Sequence, residues 1–276
     1  MVLPVRDKYP DDGPGDSPDD TDGHPARRRP VVTYTLIAAC TVVFLLGPLS
    51  GFNPSYGTGH RLQCAQAVYF ARWGVVPSEL FHGALPAWRL PLPAGCPSPA
   101  PFTKVPALSV LTAMFLHGSW LHLTGNMLFL YVFGDNVEHR MGRLRFTVFY
   151  LAAGCLATYG FALTRTGDPQ SLVGASGAIS GALGAYLYLF PRARVTSVFP
   201  FLFFVPLRFP AWLVLGFWFA LQWLAARAPS GGGPAVAYLA HVVGFAFGFL
   251  CAWVCYRPRR KVSVVISPAP QGDVPP

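Results

Sequence analysis

The chain has 276 residues, of which 53% are hydrophobic and only 12% charged, about half the charged share of an ordinary soluble domain. Twenty-one basic and 12 acidic residues cannot coat a soluble protein of this size, and from Thr103 to Tyr256 the only acids are Asp135, Glu138 and Asp168. A soluble enzyme, a disordered chain and a disulfide-rich secreted domain are excluded, leaving an all-α polytopic membrane protein.

Residues 1–30 are rich in Asp, Pro and Gly and hold no apolar core; they read as a disordered tail rather than a cleaved signal peptide. A spanning helix takes about 20 largely apolar residues. Reading between charges gives six such stretches: Val31–Leu49, Val105–Gly134, Phe146–Thr164, Pro169–Pro191, Phe209–Ala226 and Ala228–Tyr256. Residues 31–256 thus form one six-span domain. The piece Val195–Leu207 is about half a span long. It carries Pro200 and Pro206 and reads as an interfacial segment leading into the fifth helix. The loop 50–104 holds Pro, Gly and the aromatics Trp73, Phe81 and Trp88, a composition suited to partial embedding in the membrane. A structureless loop of that length is usually functional. Residues 257–276 form a second tail.

Charge orients the bundle. With the N-terminus inside, 15 of the 21 basic residues fall on the inner face, among them Arg27–Arg29, Arg143 and Arg257, and six on the outer face. Both termini are then cytoplasmic, and the net charge of +9 is a topology signal rather than a nucleic-acid patch. Cys40, Cys155, Cys251 and Cys255 lie in spans as small apolar packers. Cys64 and Cys96 share the outer loop, where an oxidising compartment would permit a disulfide and a reducing one would not.

Polar groups inside a span are costly unless paired, so each is a candidate for function. On the second span His122 and Asn126 are four residues apart and stack on one helical face. His117 sits off that face, nearer the outer end. Hydrogen bonding between helices is the plain alternative for all three. The fourth span opens on Gly174-Ala175-Ser176-Gly177, and Gly174, Gly177, Ala178, Gly181 and Ala185 recur at helical spacing. Such a seam admits a neighbouring helix backbone to backbone. A lone membrane serine more often bonds a carbonyl of its own helix. On the sixth span Gly244 and Gly248 make a second close-packing face, and His241, almost one turn before Gly244, shares its side. Docking the two seams would bring Ser176 and His241 together.

That pairing has a chemistry. A serine becomes a nucleophile when a base lies within hydrogen-bond reach, and histidine is the ordinary base near neutral pH. The three acids of the core fall in loops or at span ends, so the expected arrangement is a Ser–His dyad rather than a triad. His122, Asn126 and the Ser176 backbone N–H are the candidate oxyanion donors, with His117 lining the water entrance. A proton-relay transporter would show carboxylates or inverted repeats. A zinc intramembrane protease would show His-Glu-x-x-His. Neither pattern is present.

Three strings in order, His117…His122-x-x-x-Asn126, Gly174-x-Ser176-Gly177 and Ala240-His241-x-x-Gly244-x-x-x-Gly248, resemble those of the rhomboid family of intramembrane serine proteases. Asp135–Gly142, with Glu138 and Arg140, is similar to that family's loop between its second and third helices. The resemblance implies a rhomboid-like bundle of six transmembrane helices. It implies Ser176 as nucleophile, His241 as base and His122 with Asn126 as oxyanion stabilisers, with no cofactor or metal. The implied substrates are single-pass membrane proteins cut near the outer boundary of the bilayer, and a bacterial plasma membrane is the expected home. A catalytically silent relative that binds membrane proteins is the competing form. Two positions depart from the pattern: Leu108-Ser109 stands where many bacterial members carry Trp-Arg, and Ser180 where some carry a tyrosine against the base.

Overall fold

A computed structural model describes residues 3–8, 29–199, 205–227 and 237–256. Among these the chain is mainly helical. After strand β1 (Leu3–Lys8) come α1 (Val31–Leu46), α2 (Gly59–Trp73) and α3 (Pro77–His82). Next are α4 (Pro106–Ala113), α5 (Trp120–Phe129) and α6 (Asp135–Met141), the last two joined through a π-helical turn at Leu130–Gly134. Then follow α7 (Arg143–Leu163), α8 (Ser176–Leu189), strands β2 (Arg194–Phe199) and β3 (Val205–Pro210), α9 (Ala211–Arg227) and α10 (Tyr238–Cys255).

Of the described helices, α7 and α10 are long and apolar enough to cross a membrane, and α1 and α9 are shorter apolar helices. Two expected spans are broken up. The stretch Val105–Gly134 is not one helix: α4 ends at Ala113, and the chain turns through Met114–Ser119 before α5 starts. Ser119 makes that restart possible, because its hydroxyl accepts from the His122 N–H at 3.1 Å and caps α5. The stretch Pro169–Pro191 yields only the 14-residue α8. Its first part is extended, with Leu172 bridged to Val75.

The centre of the bundle is α8, whose residues Ala178–Tyr186 are all buried. Small side chains let two neighbours approach it closely. A Cβ on Gly177 would stand 2.7 Å from the Ala157 Cβ, and one on Gly181 2.6 Å from the Ala153 Cβ, so α7 fits against glycine. Beside α7, a Cβ on Gly244 or Gly248 of α10 would run into the carbonyl oxygens of Gly177 and Gly181. Around this seam pack Phe133, Phe146, Tyr150, Leu183, Tyr186 and Phe245.

The loop 50–104 carries structure rather than lacking it, since α2 and α3 lie within it. A disulfide joins Cys64 to Cys96, closing the alternative left open by sequence. The Glu79 carboxylate, 2% exposed, pairs with Lys104 and accepts from the Leu85 N–H at 3.0 Å. Lys104 also donates to the Ala71 carbonyl at 2.7 Å. Burial pulls the Lys104 pKa below the usual lysine value, with Glu79 opposing the shift.

The expected interfacial segment at Val195–Leu207 holds β2 and the start of β3, which pair antiparallel in register Val195 to Phe209 and Thr196 to Arg208. Pro206 is tolerated because β3 is an edge strand of the order β1-β2-β3. β1 pairs antiparallel with β2, Leu3 opposite Val198. The disordered tail expected at 1–30 is therefore corrected at Leu3–Lys8, where an exposed strand edge recruited a partner. Residues 9–28 and the expected tail 257–276 lie outside the described residues.

Glu138 of α6 anchors the start of α1. Its buried carboxylate accepts from Val32 N (3.0 Å), Thr33 N (2.7 Å) and Thr33 Oγ1 (2.8 Å). Those amides belong to the first turn of a helix, where no carbonyl of the helix can reach them. Replacing Glu138 by Ala strands three donors, and a loss of about 3 kcal/mol is expected. Thermal unfolding in detergent checks this, and an unchanged midpoint contradicts it.

Candidate active site

The segment before α8 fixes where its first residue stands. Val75 and Leu172 exchange both backbone hydrogen bonds, at 3.0 and 2.6 Å, and the Gly174 N–H donates to the Ala113 carbonyl at 2.9 Å. Held between the 50–104 loop and α4, the chain turns at Ala175 and starts α8 at Ser176. Ser176 thus sits at a helix N-terminus, where free N–H groups and the helix dipole favour negative charge.

His241 comes from the first turn of α10, carried there by the Gly244 and Gly248 contacts. Its Nε2 lies 2.8 Å from Ser176 Oγ, and its Nδ1 lies 2.8 Å from Gln222 Oε1 on α9. A glutamine carbonyl oxygen only accepts, so Nδ1 carries the ring proton and Nε2 accepts from the serine hydroxyl. The ring is flanked by Trp218, with centroids 6.0 Å apart and planes inclined 31°, and edge-on by Tyr238 at 6.4 Å. Ser180 donates to the Ser176 carbonyl at 2.6 Å. Trp218 supplies aromatic packing from another helix. No carboxylate bonds His241 among the described residues.

Opposite Ser176 stands His122. The Gly118 N–H donates to its Nδ1 at 3.2 Å, which leaves the proton on Nε2 as a donor. Gly174 has φ +127°, and a Cβ built on it would lie 2.9 Å from His122 Nε2 and 3.7 Å from Ser176 Oγ. A methyl there would crowd the ring, so glycine at 174 keeps the approach between His122 Nε2 and Ser176 Oγ clear. Asn126, one turn along α5, is buried, and its Nδ2 has no hydrogen-bond partner among the described residues. A cavity of about 20 Å³ adjoins Ser176, lined by Ala113, Gly154, Thr158, Gly174 and Gly177 among others, which is enough for a single water.

Two residues stand elsewhere than sequence periodicity put them. Gly174 is not part of the packing seam of α8: it precedes the helix in a backbone conformation suited to glycine and faces His122. His117 is not on a helix but in the turn between α4 and α5. It is 2% exposed, has no well-formed hydrogen bond at either ring nitrogen among the described residues, and packs edge-on against His122 at 5.2 Å. Gln222 is a site residue that the sequence motifs do not reveal, although it is the one non-aromatic polar side chain between Phe209 and Ala226. A polar residue in an otherwise apolar span was the available signal. His60 stands beside Cys64 and Cys96, all three donor atoms within 4.8 Å. With the two sulfurs bonded to each other, that group offers a metal only an imidazole.

The rhomboid domain model matches residues 106–258, more than half of the 276-residue chain. Rhomboid protein 1, mitochondrial, of Saccharomyces cerevisiae is 33% identical over 158 residues, 56% of this chain and 43% of that protein. YdcA of Bacillus subtilis, a rhomboid relative, is 25% identical over 154 residues, 55% of this chain and 69% of its own length. RHOMBOID-like protein 6, mitochondrial, of Arabidopsis thaliana is 30% identical over 147 residues, covering 51% of this chain and 42% of that one. The match thus spans less than half of the yeast and plant relatives. Relatives of bacterial and mitochondrial kind lend no weight to a bacterial plasma membrane over an organelle.

Filling the space at Gly174 should disable the site. Gly174→Ala places a methyl against His122 in a backbone conformation that costs about 1–3 kcal/mol for other residues. Reaction of Ser176 with a serine-directed phosphonate should slow by at least about tenfold, as expected for a disturbed oxyanion site. An undiminished rate in folded protein would show that the space is not used.

Proposed function

Because the chain belongs to the rhomboid family, which is embedded in membranes, we propose that it is an intramembrane serine endopeptidase. Its substrates are single-pass membrane proteins, cut near the membrane boundary. The observation that carries the proposal is the 2.8 Å contact between Ser176 Oγ and His241 Nε2, made by a base whose other nitrogen is already engaged.

Ser176 Oγ attacks the scissile carbonyl carbon as its proton passes to His241 Nε2. The carbonyl oxygen becomes an oxyanion in the space beside Gly174. His122 Nε2–H, Asn126 Nδ2–H and the Ser176 backbone N–H are its donors. The tetrahedral intermediate collapses as His241 returns the proton to the leaving amine, and the acyl-enzyme remains on Ser176. A water then gives its proton to His241 and attacks the ester carbon. Collapse releases the acid and restores the serine. The cavity beside Ser176 supports this step by offering room for a water. His117, buried rather than lining an entrance, packs against the ring of His122.

The bundle around this site is proposed to cross the membrane six times with both termini on the cytoplasmic side, which the excess of arginine at one set of loop ends supports.

Co-expression with a tagged single-pass reporter tests the proposal. Wild type should release a fragment cut at the membrane boundary, and Ser176→Ala should release none. Asn126→Ala should slow release by about 10²-fold through loss of one oxyanion donor. Equal cleavage by wild type and Ser176→Ala would overturn the nucleophile assignment, and full activity of Asn126→Ala would remove that residue from the site.

A further inference from the structure

We propose that Gln222 is the positioning residue of the base: from α9 it sets the tautomer and ring rotation of His241, an orienting task that falls to a carboxylate in a three-membered serine site. This inference rests on the protease reading above. Gln222 Oε1 lies 2.8 Å from Nδ1, and Nδ1 has no other hydrogen-bond partner among the described residues. The opposite nitrogen faces Ser176 Oγ at 2.8 Å, so one acceptor on α9 decides which lone pair the serine meets. Trp218, four residues earlier and thus on the same side of α9, packs against the ring. One helix therefore holds both the edge and the face of the imidazole. Burying an amide in an apolar span is costly without a partner, and here the partner is the base itself.

The groups facing His241 are Ser176 from α8, His122 from α5, Tyr238 from its own helix and Gln222 with Trp218 from α9. None is a carboxylate, so the base is oriented without an added negative charge. Introducing one at 222 has a defined sign. A carboxylate beside Nδ1–H stabilises the imidazolium and raises the base's pKa. The reaction needs the neutral base, so the acid limb of its pH profile moves to higher pH.

The test compares wild type, Gln222→Leu and Gln222→Glu in detergent, reacted with a fluorescent serine-directed phosphonate from about pH 5 to pH 9. Gln222→Leu should lower the limiting inactivation rate by at least about tenfold, with the probe's half-saturation constant and the unfolding temperature close to wild type. Gln222→Glu should recover the rate and shift the acid limb upward by about one pH unit or more. A Leu variant with wild-type rate and profile, or a Glu variant as slow as Leu with an unmoved limb, overturns the inference while the protease reading stands. Should Gln222→Leu fail to fold, the Glu variant decides alone by its limb. Folded wild type that does not react overturns the nucleophile assignment, and the positioning role with it.

Discussion

The structure depends on the backbone contact between α8 and α10. Gly244 and Gly248 turn bare Cα atoms toward the carbonyl oxygens of Gly177 and Gly181, so the two helices meet closer than side chains allow. In a membrane the apolar effect gives little reason for helices to associate, and van der Waals fit of this kind is the main source of attraction. The same contact sets the chemistry. Ser176 immediately precedes Gly177, and His241 lies nearly one turn before Gly244. The glycine register that seats α10 on α8 thereby fixes the distance between nucleophile and base. Packing and site are one constraint.

The remaining parts serve to hold the two ends of that pair. On the serine side, the short bridge between Val75 and Leu172 and the Gly174–Ala113 hydrogen bond stop α8 from starting earlier. The serine is left at the helix end, facing a space that a side chain at 174 would fill. The Cys64–Cys96 disulfide and the buried Glu79–Lys104 pair give the 50–104 loop the rigidity to keep Val75 in place. Further away, Glu138 ties the start of α1 to α6. On the histidine side the restraint comes from α9, through Gln222 and Trp218.

Much of this was legible in the sequence because membrane chemistry simplifies the reading. In a run of apolar residues a histidine or asparagine stands out, and small residues at helical spacing mark a seam, so Ser176, His241, His122 and Asn126 are all conspicuous in sequence. Periodicity failed where the backbone leaves the helix. Helical spacing assigns His117 an azimuth although the chain turns there, and it joins Gly174 to a seam that starts after it. Both errors have one source: hydropathy runs on through a break in hydrogen bonding. The strands at 194–210 escaped for a related reason, since a short apolar run does not distinguish half a helix from a hairpin arm. Gln222 is conspicuous in sequence, yet nothing in its own helix points to a partner. Its significance appears only when α9 lies beside α10.

Adduct mapping tests whether His241 activates Ser176. Folded wild-type protein and His241→Ala are treated with the same phosphonate, digested and read by mass spectrometry. Activation of Ser176 by His241 should give a single adduct on the peptide containing Ser176 in wild type and none in His241→Ala. An adduct on another serine, or equal modification of Ser176 without His241, would contradict it.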